Sequence, residues 1–120
     1  MSSEDLTGDE LVEILSALAN PLRVRIVAVL AGGRDYVSHL AREIRVSRPV
    51  LHMHLKRLEA AGLIAGSLEL SADGKAMKYY EVTDFCLTLT PSNLAAAAAT
   101  LTPSDPLKNP PKNSTREENP

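Results

Sequence analysis

Between residues 6 and 62 the apolar positions fall at helical spacing in four blocks, and beyond them the pattern changes to short β-rich runs. Thr7 and Glu10 stand at capping-box spacing, with Leu6 and Leu11 placed to staple across the box, so a first helix carries Leu11, Ile14, Leu15 and Leu18 on one face. Asn20-Pro21 restarts the chain, because Asn caps a helix and Pro suits its first position, where no donor is needed. Leu22, Ile26, Val29 and Leu30 form the inner stripe of this second helix, and Gly32-Gly33 ends it. A third helix over about 36–44 turns Val37, Leu40, Ala41 and Ile44 inward. Ser47 caps a fourth, with Pro49 in its first turn, Leu51, Leu55 and Leu58 inward, and Gly62 closing it. Leu63–Leu70 and Met77–Thr83 then pair as a hairpin around Asp73-Gly74.

Past Asp84 the signals thin. Phe85, Leu87 and Leu89 alternate as in a short extended piece, and Thr90-Pro91 starts a helix through the alanines at 95–99 to Leu101. From Thr102 onward prolines at 103, 106, 110, 111 and 120 stand among polar residues, a composition that predicts a disordered tail. The chain therefore divides into a folded unit over 1–101 and a tail over 102–120. The fold class is α+β, mainly α: two helices joined by a tight turn and followed by a two-stranded wing, a winged helix-turn-helix, with a further helix at each end. That order of parts suits the insertion of one helix into a DNA major groove.

Charge sharpens this picture. The net charge is −2, but it is unevenly spread. Residues 1–19 hold five acids and no base, whereas residues 20–80 hold ten bases against five acids. The positive charge thus falls on the candidate DNA-binding segment, and phosphate binding depends on local charge. Cys86 is the one cysteine, so no intramolecular disulfide or Cys-rich metal site can form, and it reads as a small buried hydrophobe. No apolar run approaches the roughly 20 residues that span a bilayer, and the acidic N-terminus is unlike a signal peptide. A cytoplasmic, nucleoid-associated protein with no membrane partner is expected.

Placing the fourth helix at 100° per residue with its leucines inward leaves Pro49, Val50, His52, Met53, Lys56 and Arg57 outward, with Arg48 at the exposed N-terminal end. Arg can bond two acceptors on a guanine edge, His can bond base edges, and Val50 or Met53 can touch a thymine methyl. Ser47 stands at the helix N-terminus, placed for a phosphate. In the wing, Lys75 and Lys78 flank the tip. Tyr79 and Tyr80 lie on opposite faces of one strand, so one packs under the hairpin and the other is free to approach a sugar or phosphate. Any amphipathic helix turns charge outward; the basic hairpin that follows makes double-stranded DNA the expected partner.

Three segments, LANPLRVRIVAVL, VSHLAREIRVSRPVLHMHLKRLEAAGLI and GKAMKYYEVT, resemble the ArsR-type winged-helix transcriptional regulators in order and spacing over about residues 11–84. The family's recognition helix runs roughly S-x-P-x-V-S-x-H-L-x-x-L-x-x-A-G-L. Ser47, Pro49, Leu51, His52, His54, Leu55, Leu58, Ala61, Gly62 and Leu63 stand at those places. The resemblance implies a transcriptional regulator, most simply a repressor. It further implies a homodimer joined through its first and C-terminal helices and reading a palindromic operator. Leu11, Ile14, Leu15, Leu94 and Leu101 are the expected interface residues, with the alanines allowing close helix approach; the other arrangement is a C-terminal helix folded back on its own domain.

This chain departs from the family pattern in three places. The third helix, YVSHLAREI, lacks the cysteine of the metal-binding relatives, so release by soft metals through coordination is not expected. Arg45 holds a turn position where Gly is common, and His52 replaces a smaller Ser on the DNA-facing side. His52 and His54 are two apart on one helix and point about 200° from each other, so they cannot chelate one ion. No metal, no cofactor and no enzymatic activity are expected: Cys86 lacks a base partner in sequence, no phosphate loop appears, and the carboxylates are scattered. Nothing in the sequence specifies an effector. A protein-interaction module on the same fold is the competing class, and the wing lysines argue against it.

Overall fold

A computed structural model of the chain describes residues 6–103. Local caps set its helices. Thr7 accepts from the Glu10 amide at 3.1 Å while Glu10 accepts from the Thr7 amide at 2.9 Å, and this reciprocal box starts α1 (Gly8–Leu18). Asn20 Oδ1 accepts from the amides of Leu22 and Arg23 at 2.9 and 3.3 Å, starting α2 (Pro21–Ala31). Strand β1 (Asp35–Tyr36) leads into α3 (Val37–Ile44), and Ser47 caps α4 (Arg48–Ala60). β2 (Ile64–Leu70) and β3 (Ala76–Val82) form the wing, and Thr90 caps α5 (Pro91–Ala98).

The core lies where α1 to α4 meet the base of the wing. Ile26, Leu30, Leu40, Leu51, Leu55, Leu58, Leu63 and Ile64 are fully enclosed, and Tyr80 closes the cluster from the sheet. Each buried leucine contributes about 1.5–3 kcal/mol. The three leucines of α4 fix which way that helix faces, so its outer side is determined by its inner one.

The sheet is antiparallel in the order β1-β3-β2. Ile64 pairs with Val82, Gly66 with Tyr80, and Leu70 with Ala76, while Asp35 and Tyr36 pair with Tyr80 and Tyr79. The third strand is an addition to the expected hairpin. A two-residue strand carries no periodicity of its own, and it extends the chain into α3 from the far edge of β3. The tip is a turn in which Ser71 N donates to Lys75 O at 2.7 Å, with Gly74 at φ 86°.

Four further placements correct or complete the sequence reading. α3 begins at Val37, because Tyr36 belongs to the sheet. Cys86 is exposed, since the alternation 85–89 turns its half-buried neighbours Phe85 and Leu87 inward. Thr102 donates from its amide to Asp9 Oδ1 at 3.2 Å and from its hydroxyl to Oδ2, tying the chain after α5 to α1. The remainder of the expected tail, 104–120, lies outside the described residues. Among the described residues no single helix is long and apolar enough to cross a membrane.

Candidate nucleic-acid interface

The turn between α3 and α4 sets the recognition geometry. Arg45 takes the left-handed conformation at φ 64° and ψ 49°, and the amides of Arg45 and Val46 both donate to Ala41 O, at 2.9 and 3.2 Å. Gly62 makes the same kind of stop for α4, with φ 78° and Leu63 N donating to Leu58 O at 3.0 Å. An arginine thus does at one helix end what glycine does at the next.

With α4 so placed, Ser47, Arg48, Pro49, Val50, His52, Met53 and Lys56 are exposed, and Met53 keeps 60% of its surface. Arg57 is different. Its Nη1 is bound to a Glu13 carboxylate oxygen and its Nη2 donates to Ser16 Oγ at 2.7 Å, so it clamps α4 to α1. Helical projection put Arg57 outward, but its position at the rim, within reach of the acidic α1, could not be read without knowing that α1 packs there.

Arg48 and His52 share an open groove of about 320 Å³ with Ala76, Met77 and Lys78 of the wing and with Tyr36, Val37 and Ser38 at the start of α3. Three elements therefore converge on one concave surface bearing two permanent cations and an imidazole. Tyr36, the N-cap of α3, makes no side-chain cap bond, so the first turn of α3 is open to an external acceptor. Sequence reading missed Tyr36 and Ser38; the absence of a Ser, Thr, Asp or Asn cap before Val37 was the signal available.

The wing is braced from behind. The Arg34 guanidinium lies 4.5 Å from the Tyr79 ring centroid and pairs with Glu69, and Tyr36 meets Tyr79 edge-on with centroids 5.9 Å apart. The Arg34 hydrogen bond holds the Glu69 carboxyl below its ordinary range and raises Arg34. Tyr80 is the buried tyrosine, and desolvation pushes its hydroxyl up; Tyr79 is half-covered by Arg34 and Tyr36. Lys78 Nζ lies 5.6 Å from the Tyr80 ring centroid, against Gly66, where a Cβ would come within 2.8 Å of Lys78 Cε. Lys75 is exposed at the tip, where Ser71 bonds Asp73 and keeps that carboxyl low.

The histidines are dispersed. His39 Nδ1 is 2.5 Å from Asp35 Oδ2, His52 faces the groove, and His54 is buried. Among the described residues no three of His, Cys, Asp and Glu are grouped to hold a metal ion.

The expected interface residues also divide. Leu11 and Ile14 are buried within the protomer, and Leu15 is half-buried. Leu94 and Leu101 remain 45% and 43% exposed, and Val12 of α1 is exposed as well. α5 does fold against α1, for Gly8 N donates to Thr100 Oγ1 at 2.7 Å, yet none of its residues is buried.

A helix-turn-helix, an antiparallel wing and a basic groove shared by both define a winged-helix DNA-binding domain. Residues 20–65 match the bacterial regulatory proteins of the arsR family. An uncharacterised HTH-type transcriptional regulator of Methanocaldococcus jannaschii is 36% identical over 76 residues, 63% of this chain and 79% of the relative. The chain belongs to the ArsR family of transcriptional regulators. The HTH-type transcriptional repressor SmtB of Mycobacterium tuberculosis is 41% identical over 54 residues, 45% of this chain and 40% of that protein. Among solved structures, the homodimeric winged helix-turn-helix domain from Mycobacterium bovis superposes with a TM-score of 0.57 at 22% identity, covering 76% of this chain and 74% of that one. NolR from Sinorhizobium fredii gives 0.52 at 27% identity, covering 76% and 80%.

Proposed function

We propose that this regulator acts as a homodimeric, sequence-specific repressor in the cytoplasm, seating α4 in the major groove of each half of a palindromic operator. The observation that carries this reading is the groove in which Arg48, His52 and Lys78 converge from the recognition helix and the wing. Ser47, Arg48, Pro49, Val50, His52, Met53 and Lys56 form the base-reading and helix-end surface, while Lys75 and Lys78 meet phosphates. The open first turn of α3 accepts a further phosphate at Val37 and Ser38. Arg57 does not join them, being committed to α1. The dimer surface is drawn from the exposed Val12, Leu94 and Leu101 together with the half-buried Leu15.

Selection of duplexes from a random pool, followed by footprinting, tests this reading. The expected result is two inverted half-sites whose centres lie a whole number of helical turns apart, about 34–36 Å for one turn. Equal binding to selected and random duplexes would instead favour a module whose specific partner is a protein.

A further inference from the structure

His54 sits on the inward face of the recognition helix, 5% exposed, with its Nδ1 at 3.1 Å from Arg23 Nη1 of α2. A guanidinium only donates, so Nδ1 accepts, and the imidazole is neutral with its proton on Nε2. The same guanidinium donates through Nε to the Ala17 carbonyl at 2.6 Å. Ala17 lies in the last turn of α1, where carbonyls lack helical partners. The backbone of Arg23 is itself fixed, its amide bound by the Asn20 cap at 3.3 Å. One side chain thereby ties the end of α1, the start of α2 and the middle of α4 together.

We propose that Arg23 and His54 are positioning residues for DNA binding, holding α4 in its seat, and that uptake of a proton by His54 unseats the helix and releases DNA. The inference rests on the DNA-binding reading above. A protonated ring turns Nδ1 from acceptor to donor and sets two cations at 3.1 Å in a half-buried place. Arg23 must then withdraw, which strands the Ala17 carbonyl. Burial first, and the charge of Arg23 second, hold His54 below the ordinary histidine value, so the link is intact at neutral pH. Arg23 is the charged group that contacts the ring. On the elements around it, Glu13 of α1 and Arg57 of α4 are bound to each other, Glu69 of β2 is bound to Arg34, and Arg42 and Glu43 of α3 are exposed. His39 of α3 is paired with Asp35.

The experiment is an anisotropy titration of a duplex selected at pH 7.5, repeated down to pH 5.5, with the fold followed by circular dichroism. Wild type is expected to lose affinity with a slope approaching about tenfold per pH unit for each linked proton. His54→Gln keeps an acceptor for Arg23; it is expected to bind more weakly than wild type at pH 7.5, with the slope abolished. Arg23→Met should also bind more weakly at pH 7.5 and be flat. If His54→Gln fails to fold, Arg23→Met and the ¹⁵N shifts of the wild-type ring decide, the Nε2–H tautomer being expected at pH 7.5. Binding with an unchanged acid slope in Arg23→Met or His54→Gln, or an Nδ1–H tautomer, overturns the inference alone. No binding to any duplex at pH 7.5 overturns the DNA-binding reading as well.

Discussion

Arg45 is the one described residue other than glycine with positive φ, and its side chain is exposed. A left-handed conformation costs an L-residue about 1–2 kcal/mol, while glycine gives back about 0.5–1 kcal/mol through its freer unfolded chain. Arg45→Gly is therefore expected to stabilise the fold by up to about 1 kcal/mol, raising Tm by roughly 4–8 °C per kcal/mol, as calorimetry would show. His54 makes stability depend on pH. Its folded value is depressed, so between that value and about 6.5 the unfolded chain binds the extra proton. Stability is complete above about pH 6.5 and is lost as pH falls through the folded value; Tm measured from pH 7.5 to 5 should fall less in His54→Gln. At the DNA face, Arg48→Ala is expected to cost about 1–3 kcal/mol on the selected site and to reduce discrimination. Lys75→Ala should weaken all duplexes alike and lower the salt slope by about one. Equal losses on selected and random duplexes for Arg48→Ala would reverse those roles.

At the scale of elements, the wing is positioned by a residue outside it. Arg34 precedes β1, yet it holds Glu69 of β2 and the ring of Tyr79 in β3. Arg34→Ala releases both strands at once. Its expected effect is faster amide exchange in the outer halves of β2 and β3, weaker binding to every duplex, and unchanged site preference; hydrogen exchange with mass spectrometry and repeat selection check it. Arg34 also shows why the sequence told part of this fold and not the rest. Helices were legible because Thr7, Asn20, Ser47 and Thr90 announce themselves by residue type, and the leucines of α4 fixed its outward face before any contact was known. The proposed DNA surface follows from that face, with Lys75 and Lys78 added by the hairpin. What escaped depends on residues distant in sequence. β1 exists only because β3 offers Tyr79 and Tyr80 as partners, Arg57 turns back because Glu13 lies 44 residues away, and His54 gains its meaning from Arg23, 31 residues earlier.

The whole molecule leaves one question of covering. α5 leans on α1 through Gly8 and Asp9, but Val12, Leu94 and Leu101 stay exposed, and apolar residues left exposed on two packed helices suit the proposed dimer surface. A second copy meeting it along the same surface makes an isologous contact, which in turn gives two recognition helices related by a two-fold axis, as a palindrome requires. Two substitutions test this differently. A Cβ at Gly8 would come within 2.3 Å of the Ala97 carbonyl, so Gly8→Ala displaces α5 from α1. Leu94→Glu leaves that contact intact and charges the proposed dimer surface. Sedimentation at tens of micromolar should give twice the chain mass for wild type and the single mass for Leu94→Glu, with Gly8→Ala weakened towards the monomer. On DNA, Leu94→Glu should protect one half-site in place of two. A wild-type chain that sediments as a monomer, or a Leu94→Glu variant that still protects both half-sites, would remove α5 from the interface.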